Sequence, residues 1–106
     1  MARASRAKGV AGEHEVAAIY TEHGFEVRGL EGRGDHLALK YRPPAAFSDT
    51  VTLFSEVKRQ ERLQLWQWLA QAQSEAPSGT VPVVSFRRNR GQWYACLPLR
   101  DLLRLV

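Results

Sequence analysis

The sequence predicts an α/β domain: a central mixed five-stranded sheet flanked by helices. Three observations predict it. Hydrophobic periodicity switches between the helical and the strand period in the order α-β-β-β-α-β-β-α. The run Thr50–Val57 is rich in β-branched and aromatic residues and carries apolar side chains on both faces, as an inner strand covered on both sides does. A chain of 106 residues, 44% hydrophobic and 25% charged, suffices for one core and not for two.

Each element follows from local pattern. Over Gly9–Gly24, Val10, Val16, Ala17, Ile19 and Tyr20 fall on one arc at the helical period, and Gly24 is the stop. Glu13 falls inside this arc; Glu15 and Glu22 fall opposite it, where solvated charges belong. Phe25–Arg28 reads as a short strand, and the glycine-rich Gly29–Gly34 as a loop. Asp35–Tyr41 alternates as a strand with Asp35 in phase with Leu37, Leu39 and Tyr41. Arg42–Asp49, with Pro43-Pro44, is a turn, so the strand ending at Val57 returns antiparallel. Leu63–Glu75 is the second helix, with an apolar arc of Leu65, Trp66, Trp68, Leu69, Ala70 and Ala72 wider than one core face requires. Val81–Phe86 and Gln92–Leu97 are strands joined by the basic turn Arg87–Gly91, and Pro98–Val106 closes with a short helix.

The net charge of +4, carried mainly by arginine, favours a polyanionic partner, with nucleic acid the first candidate. Residues 1–8 read as a basic N-terminal arm and 9–106 as a single domain. No apolar run approaches a membrane span and none follows the basic start as in a signal peptide. The lone Cys96 excludes an internal disulfide and a thiolate zinc site, and fits a reducing, cytoplasmic setting.

Four residues carry chemistry. Glu13 is a carboxylate among core-facing residues, Asp35 opens a strand, and Glu56 and Lys58 share one face at the end of the next. Hairpin pairing of 35–41 with 51–58 brings Asp35 towards Glu56, because each lies at the end far from Pro43-Pro44. Two converging carboxylates repel unless a divalent cation neutralises them, and oxygen ligands suit Mg²⁺ or Mn²⁺. Such an ion polarises a phosphate and activates a water, while Lys58 stabilises developing charge. The bland alternative is an ion pair at a strand end with a helix-stabilised Glu13.

Glu13, Gly34-Asp35 and Glu56-Val57-Lys58, in that order on α-β-β-β-α, resemble the PD-(D/E)xK nuclease superfamily, whose fold is restriction-endonuclease-like. More narrowly, Arg6-Ala7-Lys8-Gly9, Glu13 and His23–Arg28 are similar to Hjc-type Holliday-junction resolvases. The resemblance covers residues 6–40 and 51–60. It implies Asp35 and Glu56 as ligands to Mg²⁺ with the Val57 carbonyl, Lys58 as the catalytic lysine and Glu13 as a further acid. It also implies a homodimer that makes paired nicks in four-way DNA junctions. Gly34 stands where the motif has proline, and the span from Asp35 to Glu56 is long, as in a divergent, phage-encoded member of a bacterial or archaeal system. Another repair or restriction-type nuclease, or a non-catalytic DNA-binding module of the same fold, are the alternatives.

Arg3, Arg6, Lys8, Arg33, Arg59 and Arg62 are the expected phosphate contacts. His14, His23 and His36 share no ligand spacing. The tryptophans suit packing or base stacking, and Arg87, Arg88 and Arg90 suit solvent or phosphate. A dimer surface is expected from Trp66, Trp68 and Leu69, with Trp68 at the rim of its arc, together with Leu99, Leu102, Leu103 and Val106.

Overall fold

The computed structural model describes residues 2–29, 36–41 and 51–105, with side chains for 11–29, 39–40 and 51–105. Eight elements follow in chain order: α1 (Ala2–Glu22), β1 (Glu26–Gly29), β2 (His36–Tyr41), β3 (Val51–Arg59), α2 (Leu65–Glu75), β4 (Val81–Arg87), β5 (Tyr94–Cys96) and α3 (Leu99–Leu105). The five strands form one mixed sheet in the order β1-β2-β3-β4-β5. Only β3 and β4 run parallel; the remaining neighbours are antiparallel. The chain is thus the expected α/β fold, with a five-stranded mixed sheet and flanking helices. No helix among the described residues is long and apolar enough to cross a membrane.

Helix α1 begins at Ala2, well before the expected Gly9, so the basic segment is continuous with the helix instead of preceding it as an arm. Alanine, arginine and lysine are all strong helix formers, which is the physical reason. The carboxyl-terminal end is where the sequence puts it. Gly24 takes the left-handed conformation (φ 86°), its N–H donates to the Thr21 carbonyl, and the Phe25 N–H reaches back to Tyr20, each at 3.1 Å. The Phe25 and Tyr20 rings meet edge to face with centroids 4.9 Å apart, completing a Schellman stop with its apolar contact.

The two helices cover opposite faces. Leu53 and Val57 of β3 pack with Val16 of α1, Leu39 and Val81. Val84 of β4 packs with Trp68 and Ala72 of α2. Cross-strand partners share a face, so Glu56, opposite Val84, and Lys58, opposite Phe86, lie on the α2 face. All five residues Leu53–Val57 are buried, as in a strand covered on both sides.

Two expectations about helix faces are corrected. Trp68 is only 4% exposed and sits at the centre of the α2 core, not at the rim of the arc, so it is not free to form a dimer surface; Leu69 beside it is half-buried. The inward stripe is Leu65, Trp68, Leu69 and Ala72, the ordinary helical spacing; Trp66, 84% exposed, points away. Glu15 is not left to solvent. Its carboxylate takes a two-pronged contact from Arg87, at 2.9 Å from Nη2 and 3.1 Å from Nε. The reason is Gly12. A Cβ there would lie 3.4–3.5 Å from Trp93, Arg59 and Val57, so α1 makes its closest approach along Gly12 and Val16. That line leaves Glu13 and Glu15 on its two flanks.

Candidate active site

β3 is the inner strand on which the site is built. Its apolar run holds Glu56 within the sheet, and two residues on, at the strand's end, Lys58 emerges on the same face. Glu56 has no exposed surface, whereas Lys58 retains 13%. The lysine Nζ lies 3.1 Å from Glu56 Oε1. A buried carboxylate of this kind is retained only with a charge partner in reach, because its desolvation otherwise costs several kcal/mol. The pair the sequence singles out is therefore brought together.

The other expected members stand as follows. The residue opposite Glu56 on β2 is His36; Asp35, the residue before it, lies outside the described residues, as does Arg33. Val57 is buried on the α1 face. Glu13 is half-buried on α1, the helix on the opposite face from Glu56 and Lys58. Gly12, the neighbour of Glu13, packs over Val57 and Arg59 near the end of β3. Arg59 is half-buried there; Arg62 is exposed in the segment that follows. Arg3, Arg6 and Lys8 lie on the first turns of α1, their side chains outside the described set. His14 and His23 are exposed, and His23 Nδ1 lies 2.8 Å from the Ile19 carbonyl at the end of α1.

The donors present are hard oxygens, which suit Mg²⁺ or Mn²⁺. The described residues supply one of the two expected carboxylates, and among them no group of three His, Cys, Asp or Glu side chains converges.

A second polar cluster escaped the sequence reading. On the α1 face, Ser55 and Ser85 are buried with their Oγ atoms 2.8 Å apart, and Ser85 also bonds the Tyr20 hydroxyl. Burial pushes the Tyr20 phenol above its ordinary value, while the Ser85 hydrogen bond works the other way. The signal available was Ser55 and Ser85, each inside an otherwise apolar strand, where a buried hydroxyl needs a partner.

Comparison of the chain with family models, with curated proteins and with solved structures finds no match.

Proposed function

We propose that the chain is a metal-dependent, structure-selective DNA endonuclease that resolves four-way junctions by paired nicks. The observation that carries this reading is the Glu56–Lys58 pair: a fully buried carboxylate and a nearly buried ammonium, 3.1 Å apart, ending the inner strand of a mixed sheet. Asp35, Glu56 and the Val57 carbonyl would hold Mg²⁺, with Mn²⁺ substituting. When bound, the ion polarises the scissile phosphate and lowers the pKa of a water. Lys58 stabilises charge as it develops on the phosphate oxygens, its ammonium having further N–H donors besides the one that faces Glu56. Glu13 approaches from the end of β3. The basic turns of α1, with Arg33, Arg59 and Arg62, are the phosphate contacts. Symmetric cutting requires two copies. The exposed apolar residues that remain for a homodimer are Trp66 and Leu63 near α2, and Leu99, Leu102 and Leu103 on α3.

The test is incubation with Mg²⁺ or Mn²⁺ on four-way junction, flap and linear duplex DNA. Paired symmetric nicks confined to the junction are expected. Glu56→Gln and Asp35→Asn should abolish cleavage while leaving junction binding intact. Wild-type nicking rates in either variant under single-turnover conditions would remove the metal assignment. Binding without cleavage by the unaltered protein would leave a DNA-binding module of the same architecture.

A further inference from the structure

A cleft of about 340 Å³ opens on the α2 face, against the end of β4. Its volume falls at the lower end of the ~300–1,000 Å³ of small-ligand clefts. Trp68, Phe86 and Tyr94 give it aromatic walls, Gln60 and Gln92 supply amides, Arg87 and Arg88 supply positive charge, and Glu61 lines it with a carboxylate that the Asn89 N–H engages. The Phe86 ring lies 6.0 Å from that of Trp68 and 6.0 Å from that of Tyr94, the latter pair inclined by only 30°. Trp68 is core, but Tyr94 is 55% exposed, an aromatic face open to solvent. Gln92 Nε2 donates to the Tyr94 hydroxyl at 3.0 Å and braces the ring.

The backbone of the turn that carries Arg88 and Arg90 is held in place. The Gly91 N–H donates to the Arg88 carbonyl at 3.1 Å, closing a tight turn. Arg90 sits in that turn at φ 61°, a left-handed conformation that L-residues other than asparagine and aspartate seldom adopt. The Asn89 N–H donates to Glu61 Oε1 at 2.7 Å, tying the turn to the segment after β3. Arg87 is engaged on the other face with Glu15, so Arg88 and Arg90 are the exposed cations of the turn.

Flat aromatic faces, amides and an exposed arginine on an ordered turn, on a chain of net charge +4, match the chemistry of an unpaired nucleotide. Its base finds rings to stack on, its edge finds amides, and its phosphate finds guanidinium. We propose that this cleft takes one unpaired nucleotide of a DNA strand, its base against Tyr94 and Phe86 and its phosphate towards Arg88. Phe86 is the cross-strand partner of Lys58, so the bound nucleotide lies beside the Glu56–Lys58 pair. The binding itself does not require cleavage; its place next to the cut rests on the nuclease reading above.

The experiment measures anisotropy of dye-labelled tetrathymidylate and of a short blunt duplex, in EDTA, against wild type, Tyr94→Ala, Tyr94→Phe and Gln73→Ala. Tyr94→Ala should weaken the single strand by roughly 5- to 150-fold, the range of one lost stacking contact, and leave the duplex unchanged. Tyr94→Phe, which keeps the ring, and Gln73→Ala, exposed on α2 outside the cleft, should bind as wild type. Arg88→Ala should weaken the single strand and lower its salt slope by about 0.7. A tetranucleotide with one abasic position, titrated against wild type, gives the same answer should Tyr94→Ala fail to fold: its affinity should drop within that range. The proposal is overturned by equal losses on both DNAs in Tyr94→Ala, by no loss on either, or by an abasic strand that binds like the intact one. Junction cleavage that persists without the Tyr94 effect removes the cleft alone; the Tyr94 effect without cleavage removes the nuclease reading alone.

Discussion

On the α1 face of the sheet, the buried hydroxyls and the Arg87 guanidinium are matched to other protein groups. Ser55, Ser85 and Tyr20 share hydrogen bonds, and Arg87 spends its guanidinium on Glu15, on the Gly91 carbonyl at 3.3 Å and over the Trp93 ring at 5.5 Å. On the α2 face the same strand carries Glu56 and Lys58, charges that cost far more to bury than hydroxyls. Glu56 is sealed, and Lys58 reaches solvent beside Phe86, a wall of the aromatic cleft. One face holds a hydroxyl network closed on itself and the other a buried charge pair. A hydroxyl network fixes a core at modest cost, whereas a buried charge is retained only with its partner in reach.

The largest test of this contrast is on α2. Trp68 anchors that helix at the floor of the cleft, packing with Val84, Ala72 and Phe86. Trp68→Ala should destabilise the fold by about 3–5 kcal/mol, the cost of deleting a large buried aromatic. Trp66→Ala, two residues along on the outward side, should stay within about 0.5 kcal/mol. Urea denaturation of the two variants separates a core tryptophan from a surface one. Equal effects would mean that α2 does not pack in this rotation.

The charge pair comes next. Lys58→Ala removes the ammonium 3.1 Å from a carboxylate with no exposed surface, and should cost about 3 kcal/mol at neutral pH. Glu56→Gln keeps volume and shape, and leaves a lysine that already reaches solvent. It should cost less than Lys58→Ala. The asymmetry is the informative quantity, and denaturation midpoints with unchanged slopes would measure it. A larger loss in Glu56→Gln would indicate that the carboxylate, not the ammonium, is the better solvated partner.

How much of this was legible beforehand depends on which physical signal a residue sends. The strand over 51–59 announces itself by composition, and Glu56 and Lys58 stand out because charges at the end of so apolar a run require a reason. The sequence of elements follows from periodicity, and the antiparallel return of β3 on β2 from the Pro43-Pro44 break. The rotation of the helices was harder to read. A hydrophobic arc counts apolar side chains, and Gly12 has none, yet its lack of a side chain is what lets α1 approach Val57 and Arg59 most closely. Moving the centre of the arc towards Gly12 makes Glu15 a flanking residue within reach of Arg87. The same counting widened the α2 arc by including Trp66 and Ala70, whose apolar character does not oblige burial. The cleft was not legible at all. Its walls come from residues 60–63, 68 and 86–94, and only the parallel pairing of β3 with β4 draws these segments together.

The smallest effect probes the wall itself. Tyr20 is packed between α1 and the sheet with its hydroxyl on Ser85, and burial raises its phenol above the usual value near 10. Below that value the folded and unfolded chains both hold the proton, and the hydroxyl contributes a constant stabilisation. As pH rises past it, the unfolded chain loses the proton first. The folded state then binds more protons than the unfolded, so stability falls with pH until the folded phenol ionises too. Tyr20→Phe removes this dependence. At neutral pH the variant should be less stable by about 1 kcal/mol, the net worth of a buried hydrogen bond, with Ser85 still paired to Ser55. The gap should narrow as pH rises above about 10, because wild type loses stability there for a reason the variant lacks. Lysines, arginines and the other tyrosines are common to both proteins and cancel in the difference. Urea denaturation of the two proteins at stepped pH measures it, and curves that stay parallel through this window would place the Tyr20 hydroxyl in contact with water and open the α1 face to solvent.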